Sequence, residues 1–296
     1  MSSPEHALSP GQPLRVTLTG WLTLARISNS PTVVTDVLAG AALAGIGRPV
    51  GAVALLSAAL VLFYTAGMVL NDVCDFAWDL RHRPDRPLAM GVVSRPSAAA
   101  AVVVLFGLGT ALLWAVGPVA FASGLVLIAL IAVYDRWHKD NPLSPLIMAG
   151  CRLMVYVTAF VAFAWPPNPA LVVAGGLLVA YLVGLTAIAK SETRPTVVGY
   201  WPAALLFLPS LYFATRLGVG PLLTLPLLVA AWVVYSLTFV YRARTRSIGA
   251  AIGRLIAGIS LVDGLVLASS GALESLWLAV AGFALTLFFQ RYIEGT

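Results

Sequence analysis

Apolar residues run through this chain in stretches of membrane-crossing length, separated by short polar breaks. A bilayer core of about 30 Å takes roughly 20 helical residues to cross. Stretches of that order fall at 28–46, 51–71, 97–116, 118–134, 144–165, 169–189, 199–217, 219–241, 250–270 and 273–292. The pattern predicts an all-α, polytopic transmembrane helical bundle of nine or ten spans, forming one domain over residues 1–296. Residues 1–20 are expected to be an N-terminal tail and residues 272–296 a C-terminal helix. No soluble domain, linker or low-complexity tract interrupts the spans. Charged loops after the second and the sixth span suggest two similar four-helix halves, without a residue-level repeat.

The breaks alternate in character. Odd-numbered connections are terse, as in GIGRP, VGP, WPPNP, RLGVGP and SGALE, whereas even-numbered ones carry the charge. Fifteen of the 18 Lys and Arg lie on the second side, only Arg48 and Arg216 lie opposite, and Arg152 falls inside a span. The positive-inside rule then predicts a multi-pass protein of the cell membrane with both termini and all charged loops in the cytoplasm.

Composition sharpens the class. Hydrophobic residues make up 60% of the chain, charged residues 10%, and the mean hydropathy is +0.93. A soluble domain carries about a quarter charged residues, so the excess apolar surface has to face a lipid bilayer. The net charge of +6 resides in short loop clusters, which fits orientation and anionic headgroups rather than nucleic acid. The first residues, MSSPEHALSPGQPLR, lack a basic segment followed at once by an apolar one, so insertion is expected to be signalled by the first span. Cys74 and Cys151 are too few for a disulfide framework and form no CxxC pair.

The chemistry concentrates at Asn71-Asp72-Val73-Cys74-Asp75-Phe76-Ala77-Trp78-Asp79, at the end of the second span. Asp72, Asp75 and Asp79 are spaced i, i+3, i+7, which places them on one face if the helix continues. Three like charges on one face repel, and they sit at the negative end of the helix macrodipole. A cation is therefore expected beside them. Mg²⁺ suits such a cluster, because it takes one or two protein carboxylates and fills its octahedron with water and phosphate oxygens. Arg83 and Arg86 follow in the next loop, and are the right groups for the remaining charge of a pyrophosphate. Positive-inside topology alone also accounts for them.

The NDxxDxxxD stretch, followed by R-x-x-R-P-L-A-x-G from Arg83 to Gly91, resembles the first signature of the UbiA superfamily of membrane prenyltransferases. Other landmarks agree in order. Arg26 sits where that family has an arginine at the mouth of the first span. Tyr134 and Lys139 resemble its Y-x-x-x-x-K stretch, and Arg152 is similar to an arginine many members carry early in the fifth span. The resemblance covers residues from about 20 to 270 and leaves the tenth span extra. It implies helices around a central cavity and Mg²⁺-dependent transfer of an isoprenoid from a prenyl diphosphate to an acceptor whose identity it leaves open. Asp72, Asp75 and Asp79 are then the catalytic, metal-binding carboxylates. Arg26, Asn71, Arg83, Arg86, Tyr134, Lys139, Arg152, Lys190 and Arg194 become diphosphate-binding candidates.

One departure stands out. The family's second motif, D-x-x-x-D, belongs after the sixth span, where this chain reads Ile188-Ala189-Lys190-Ser191-Glu192. Glu192 fits the second carboxylate and metal position, while Ile188 holds the first. One metal site is then weakened, and Lys190 and Arg194 either contact phosphate directly or serve topology alone. In this respect the chain resembles UbiA-like members encoded in bacterial Ebo operons. The departure also supports an alternative, a UbiA-like membrane protein that binds a polyprenyl lipid without turnover. A secondary transporter fits less well, since its site would lie near the midplane.

Several residues have plainer explanations. Asp36 and Asp263 fall inside spans, where a carboxylate is costly, and are expected to share a structural hydrogen bond with one carboxyl protonated. Arg152, an arginine within a span, is expected to face a polar cavity. His82 and Asp140 read as solvated loop residues, and Trp78 as an interfacial anchor.

Overall fold

The computed structural model describes residues 12–45, 47–139, 141–191, 199–218, 220–242 and 246–293. Among these the secondary structure is helical, with eleven α-helices and no strand. They are α1 (Gln12–Leu24), α2 (Ser30–Leu43), α3 (Val50–His82), α4 (Arg95–Val116), α5 (Pro118–Trp137) and α6 (Ser144–Val161). After them come α7 (Pro169–Ala189), α8 (Trp201–Arg216), α9 (Thr224–Tyr241), α10 (Ile248–Ser269) and α11 (Leu276–Phe289).

Among the described residues seven helices are by themselves long and apolar enough to cross a membrane: α3, α4, α5, α6, α7, α10 and α9 with the turn before it. The sequence spans at 28–46, 199–217 and 273–292 correspond to α2, α8 and α11, of 14, 16 and 14 residues. At 1.5 Å per residue these reach only about 21–24 Å. Pro31 lies in the first turn of α2, where its missing N–H costs no helix hydrogen bond, so α2 starts beside it.

The stretch expected to be an N-terminal tail is instead helical from Gln12. Its last turns carry Trp21 and Leu24, which pack with Val69, Leu88, Val93, Ala98 and Val102 at the end of the bundle. An apolar face of that kind gains more by covering the ends of α3 and α4 than by staying in water.

Two larger cores fill the bundle. One joins α2, α3, α4, α5 and α6 around Phe63, Leu56 and Leu113. The other joins α6 through α10 around Tyr156, Tyr181, Leu206 and Leu255. The two cores share α6 and so are not separate four-helix halves. α10 packs on α2 and closes the ring, and α11 lies against both. Small residues set the closest approaches. A Cβ on Gly40 of α2 would meet the Tyr156 carbonyl oxygen of α6 at 2.5 Å. Outside, Val103, Leu108, Val172, Leu211, Leu228 and Val280 are exposed apolar side chains, the surface a lipid-facing bundle presents.

Candidate active site at the charged end of the bundle

α3 has 33 residues, about 50 Å of helix, which is some 20 Å more than the bilayer core requires. The surplus is the segment from Asn71 onward, so the carboxylates stay on a rigid helix while leaving the apolar layer. The i, i+3, i+7 spacing therefore holds, and Asp72 and Asp79 are buried at 3% and 6% exposure.

Each of the first two carboxylates is met by its own pair of cations. Arg26 Nη2 lies 3.1 Å and Arg86 Nη1 3.2 Å from Asp72 Oδ1. One turn on, Lys139 Nζ lies 2.7 Å from Asp75 Oδ1, and His138 Nε2 lies 3.2 Å from Asp75 Oδ2. Donating to the Asp75 carboxylate holds the His138 imidazolium to higher pH than usual, with burial opposing it. Asp79 forms no salt bridge among the described residues. Asn71 Nδ2 donates to Asp135 Oδ1 at 3.1 Å. Trp78 does more than anchor the interface, since the Lys139 ammonium sits 4.7 Å above its ring.

Local structure explains how these groups are aimed. α1 ends at Leu24, and Arg26 takes a left-handed backbone conformation with φ 42° and ψ 44°. That conformation costs a non-glycine residue of order 1 kcal/mol or more and persists where the surroundings impose it. Here it turns the chain between α1 and α2 and brings the guanidinium onto Asp72. Arg86 is held by its own loop. Leu88 and Val93 are buried in the core beneath it, Val92 N–H donates to the Pro87 carbonyl at 3.0 Å, and Gly91 supplies φ 72°. The R-P-L-A-x-G motif is thus an apolar anchor and a turn that fix one arginine.

The second charged loop lies at the same end. Lys190 Nζ donates to Ser144 Oγ at 2.6 Å and to the Asn141 carbonyl at 3.2 Å, on the segment that carries His138 and Lys139. The loops after α3 and α7 are therefore linked through the loop after α5. Ile188 has 0% exposure and belongs to the core of the second half. Glu192, Arg194 and Asp140 lie outside the described residues.

Three candidates are placed away from the carboxylates. The Arg152 guanidinium pairs with the fully buried Asp36 and donates to Thr32 Oγ1 at 2.6 Å, inside the bundle. The expected Asp36–Asp263 neighbourhood is present as a polar network joining α2, α6 and α10. Thr35 Oγ1 and Tyr156 Oη each donate to Asp263 at 2.5 Å. Tyr134 Oη turns to Met148 Sδ at 3.6 Å while its ring stacks on His138. Arg83 lines a cavity of about 840 Å³ flanked by Arg26 and Arg86 and walled by α9, α10 and α11.

Sequence reasoning assigned no role to Asp135, His138 or Tyr64. Tyr64 Oη reaches the Arg26 carbonyl at 3.4 Å, and Arg152 lies 5.5 Å over its ring. The D-R-W-H-K stretch held a signal for the first two, since His138 adjoins Lys139 and Asp135 lies one turn before it. Nothing in the spacing marked Tyr64.

No three His, Cys, Asp or Glu side chains among the described residues converge as a ready metal cage. Mg²⁺ needs fewer protein donors. Asp72 and Asp75 offer hard oxygens one turn apart, and Asp135 Oδ2 beside Asn71 is buried without a hydrogen-bond partner among the described residues. The donor set fits.

Comparisons with known proteins address the family and the fold. The profile of the UbiA prenyltransferase family matches residues 33–252. A UbiA homologue from Aeropyrum pernix shares the fold at a TM-score of 0.66 and 18% identity, over 81% of this chain and 97% of that one. A UbiA homologue from Archaeoglobus fulgidus, solved bound to GPP and Mg²⁺, does so at 0.64 and 13%, over 86% and 99%. The digeranylgeranylglyceryl phosphate synthase of Methanoregula boonei is 38% identical over 124 residues, covering 42% of this chain and 44% of that protein. Its counterpart in Ignicoccus hospitalis is 34% identical over 126 residues, 43% and 41% of the two. The matched stretch thus spans less than half the length of these curated relatives. Fold and site together define a multi-pass helical membrane protein whose acidic and basic groups gather at one end. The chain belongs to the UbiA prenyltransferase family.

Proposed function

We propose that the protein transfers an isoprenoid group from a prenyl diphosphate to an acceptor at its charged-loop face, which is cytoplasmic, with Mg²⁺ as cofactor. The observation that carries this is the interleaving of carboxylates and cations at one end of the bundle: Asp72 with Arg26 and Arg86, Asp75 with Lys139 and His138. A diphosphate with a divalent cation is the ligand that such alternating charge complements. The synthases and the GPP- and Mg²⁺-bound homologue among its relatives support the same chemistry.

Asp72 and Asp75 would hold the metal, with Asp79 on the same face. When bound, Mg²⁺ supplies charge neutralisation of the leaving diphosphate. Arg26, Arg86 and Lys139 exchange part of their pairing with the carboxylates for the phosphate oxygens, positioning them and adding fixed positive charge where negative charge develops. The allylic C–O bond breaks with its electron pair on the diphosphate oxygen. The acceptor's nucleophilic atom bonds to the allylic carbon and loses a proton. The apolar interior keeps competing water out. Because the curated relatives are named for a glyceryl phosphate lipid, a phosphate-bearing acceptor is the first class to screen.

The test is diphosphate release by the purified protein with geranyl to longer polyprenyl diphosphates, with and without Mg²⁺. Release should require Mg²⁺ and be lost in Asp72→Asn and Asp75→Asn at a temperature where both variants remain folded and inserted. Full activity in both variants would remove the metal-centred mechanism. One observation favours a second reading, a non-catalytic polyprenyl-lipid binder: Ile188 is a core residue where the family's second motif has a carboxylate. Tight prenyl diphosphate binding without release under any metal condition would establish it.

A further inference from the structure

α11 lies beyond residue 252, where the match to the family profile ends. Among the described residues none of its side chains pairs with Asp72 or Asp75. Its helix is apolar from Leu276 to Phe289, apart from Thr286, and then gives way to the amide of Gln290. An amide turned into a bundle costs free energy unless its donors find acceptors. This one finds two. Gln290 Nε2 donates to Asn29 Oδ1 at 2.9 Å and to the Gly253 carbonyl of α10 at 3.1 Å. A Cβ on Gly253 would lie 3.1 Å from Gln290 Oε1, so glycine leaves the amide its space.

Asn29 closes the short turn Ile27–Asn29 between α1 and α2, and it is 3% exposed. It stands at the N-cap of α2, where an asparagine side chain ordinarily bonds its own helix. Here it makes no such bond and is turned to Gln290 instead. Its backbone is held as well. Asn29 N–H donates to the Arg26 carbonyl at 3.0 Å, and its own carbonyl accepts from Thr32 Oγ1 at 2.7 Å. Thr32 in turn accepts from Arg152 at 2.6 Å.

The turn begins at Arg26, whose left-handed backbone persists only while its surroundings impose it. The same residue places its guanidinium 3.1 Å from Asp72. A tie on Asn29 is therefore a tie on the direction in which Arg26 points. We infer that Gln290 is a positioning residue: it fixes the Asn29 turn and through it aims Arg26 at Asp72 and at the phosphate oxygens of a bound diphosphate. This rests on the proposed function only in that a prenyl diphosphate binds beside Asp72. The last helix then belongs to the scaffold of the site, joined to its first turn across 261 residues of chain.

The test uses the full chain in detergent and the substitution Gln290→Met, which keeps the length of the side chain and removes its amide. The probe is geranyl diphosphate with Mg²⁺, read by calorimetry so that no turnover is required. Binding should weaken about tenfold, as for the loss of a charge-assisted contact. In an Arg26→Gln background the same substitution should cause no further loss, because its effect passes through that guanidinium. Ala279→Gly, at the other end of α11 and buried with Leu267 and Ala272, loosens the helix without touching the amide and should bind like wild type. Backbone hydrogen exchange of the ligand-free protein should rise across residues 25–29 in Gln290→Met, whatever ligand the site takes.

Wild-type binding in Gln290→Met, a second tenfold loss in the Arg26→Gln background, or an equal loss in Ala279→Gly would overturn the inference. So would unchanged exchange over the turn. Geranyl diphosphate bound but never released by the wild type, and bound more weakly by Gln290→Met, would sink the proposed transfer and leave the positioning role standing.

Discussion

Replacing Arg152 with leucine should strand a carboxylate inside the bundle. Asp36 is at 0% side-chain exposure and Arg152 at 13%, so neither end of the pair reaches bulk solvent. Arg152 pairs with Asp36 Oδ2, Asp36 Oδ1 accepts no hydrogen bond among the described residues, and the guanidinium also donates to Thr32 Oγ1. Removing one partner of a buried ion pair costs about 3–5 kcal/mol, because the remaining charge keeps its desolvation penalty. At roughly 2–4 °C per kcal/mol, the melting temperature should fall on the order of 10 °C. The Asp36→Asn/Arg152→Leu double variant leaves no unpaired charge and should recover most of that loss, a coupling that a double-mutant cycle isolates. The assay is thermal unfolding of the purified protein in detergent, followed by intrinsic fluorescence, with diphosphate release measured well below the transition. Arg152→Leu melting like wild type, yet inactive, would refute the structural assignment and return Arg152 to the diphosphate site.

Lys190→Ala should release the segment carrying His138 and Lys139 and weaken diphosphate binding about tenfold, more than Glu192→Ala does; wild-type binding in Lys190→Ala beside an inactive Glu192→Ala would make the glutamate a metal ligand instead. Gly40→Ala should cost about 1–3 kcal/mol, since the new methyl would lie 2.5 Å from the Tyr156 carbonyl oxygen, and an unchanged melting temperature would show that α2 and α6 can separate freely.

The periodicity of the carboxylates was readable because a helix imposes it. Asp72, Asp75 and Asp79 share a face whatever surrounds them, provided α3 continues, and it does. The cationic partners were readable as a set but not as pairs. Arg26 and Arg86 flank the motif in sequence, whereas the pairing of Asp75 with His138 and Lys139 joins α3 to the loop after α5, a register that packing sets. Arg152 was expected to face a polar cavity from its place within a span. Its partner Asp36 is 116 residues away, and only the packing of α2 on α6 brings the two together.

From sequence alone came what depends on one segment's own composition: apolar length, the alternation of terse and charged connections, and the one-sided grouping of acids and bases that marks the family. Lipid and backbone hydrogen bonding enforce these locally, since an apolar run of that length has no other stable state in a bilayer. The tertiary structure decided what depends on how helices meet. It set α2, α8 and α11 at 14, 16 and 14 residues, docked α1 on the bundle end, and buried Ile188 in the core. It also brought Arg254 of α10 and Arg291, just past the end of α11, to the same cavity as Arg83, placing three separate segments around one space. Such convergence has no period along the chain, because it arises from the angles and distances between helices, which side-chain packing sets.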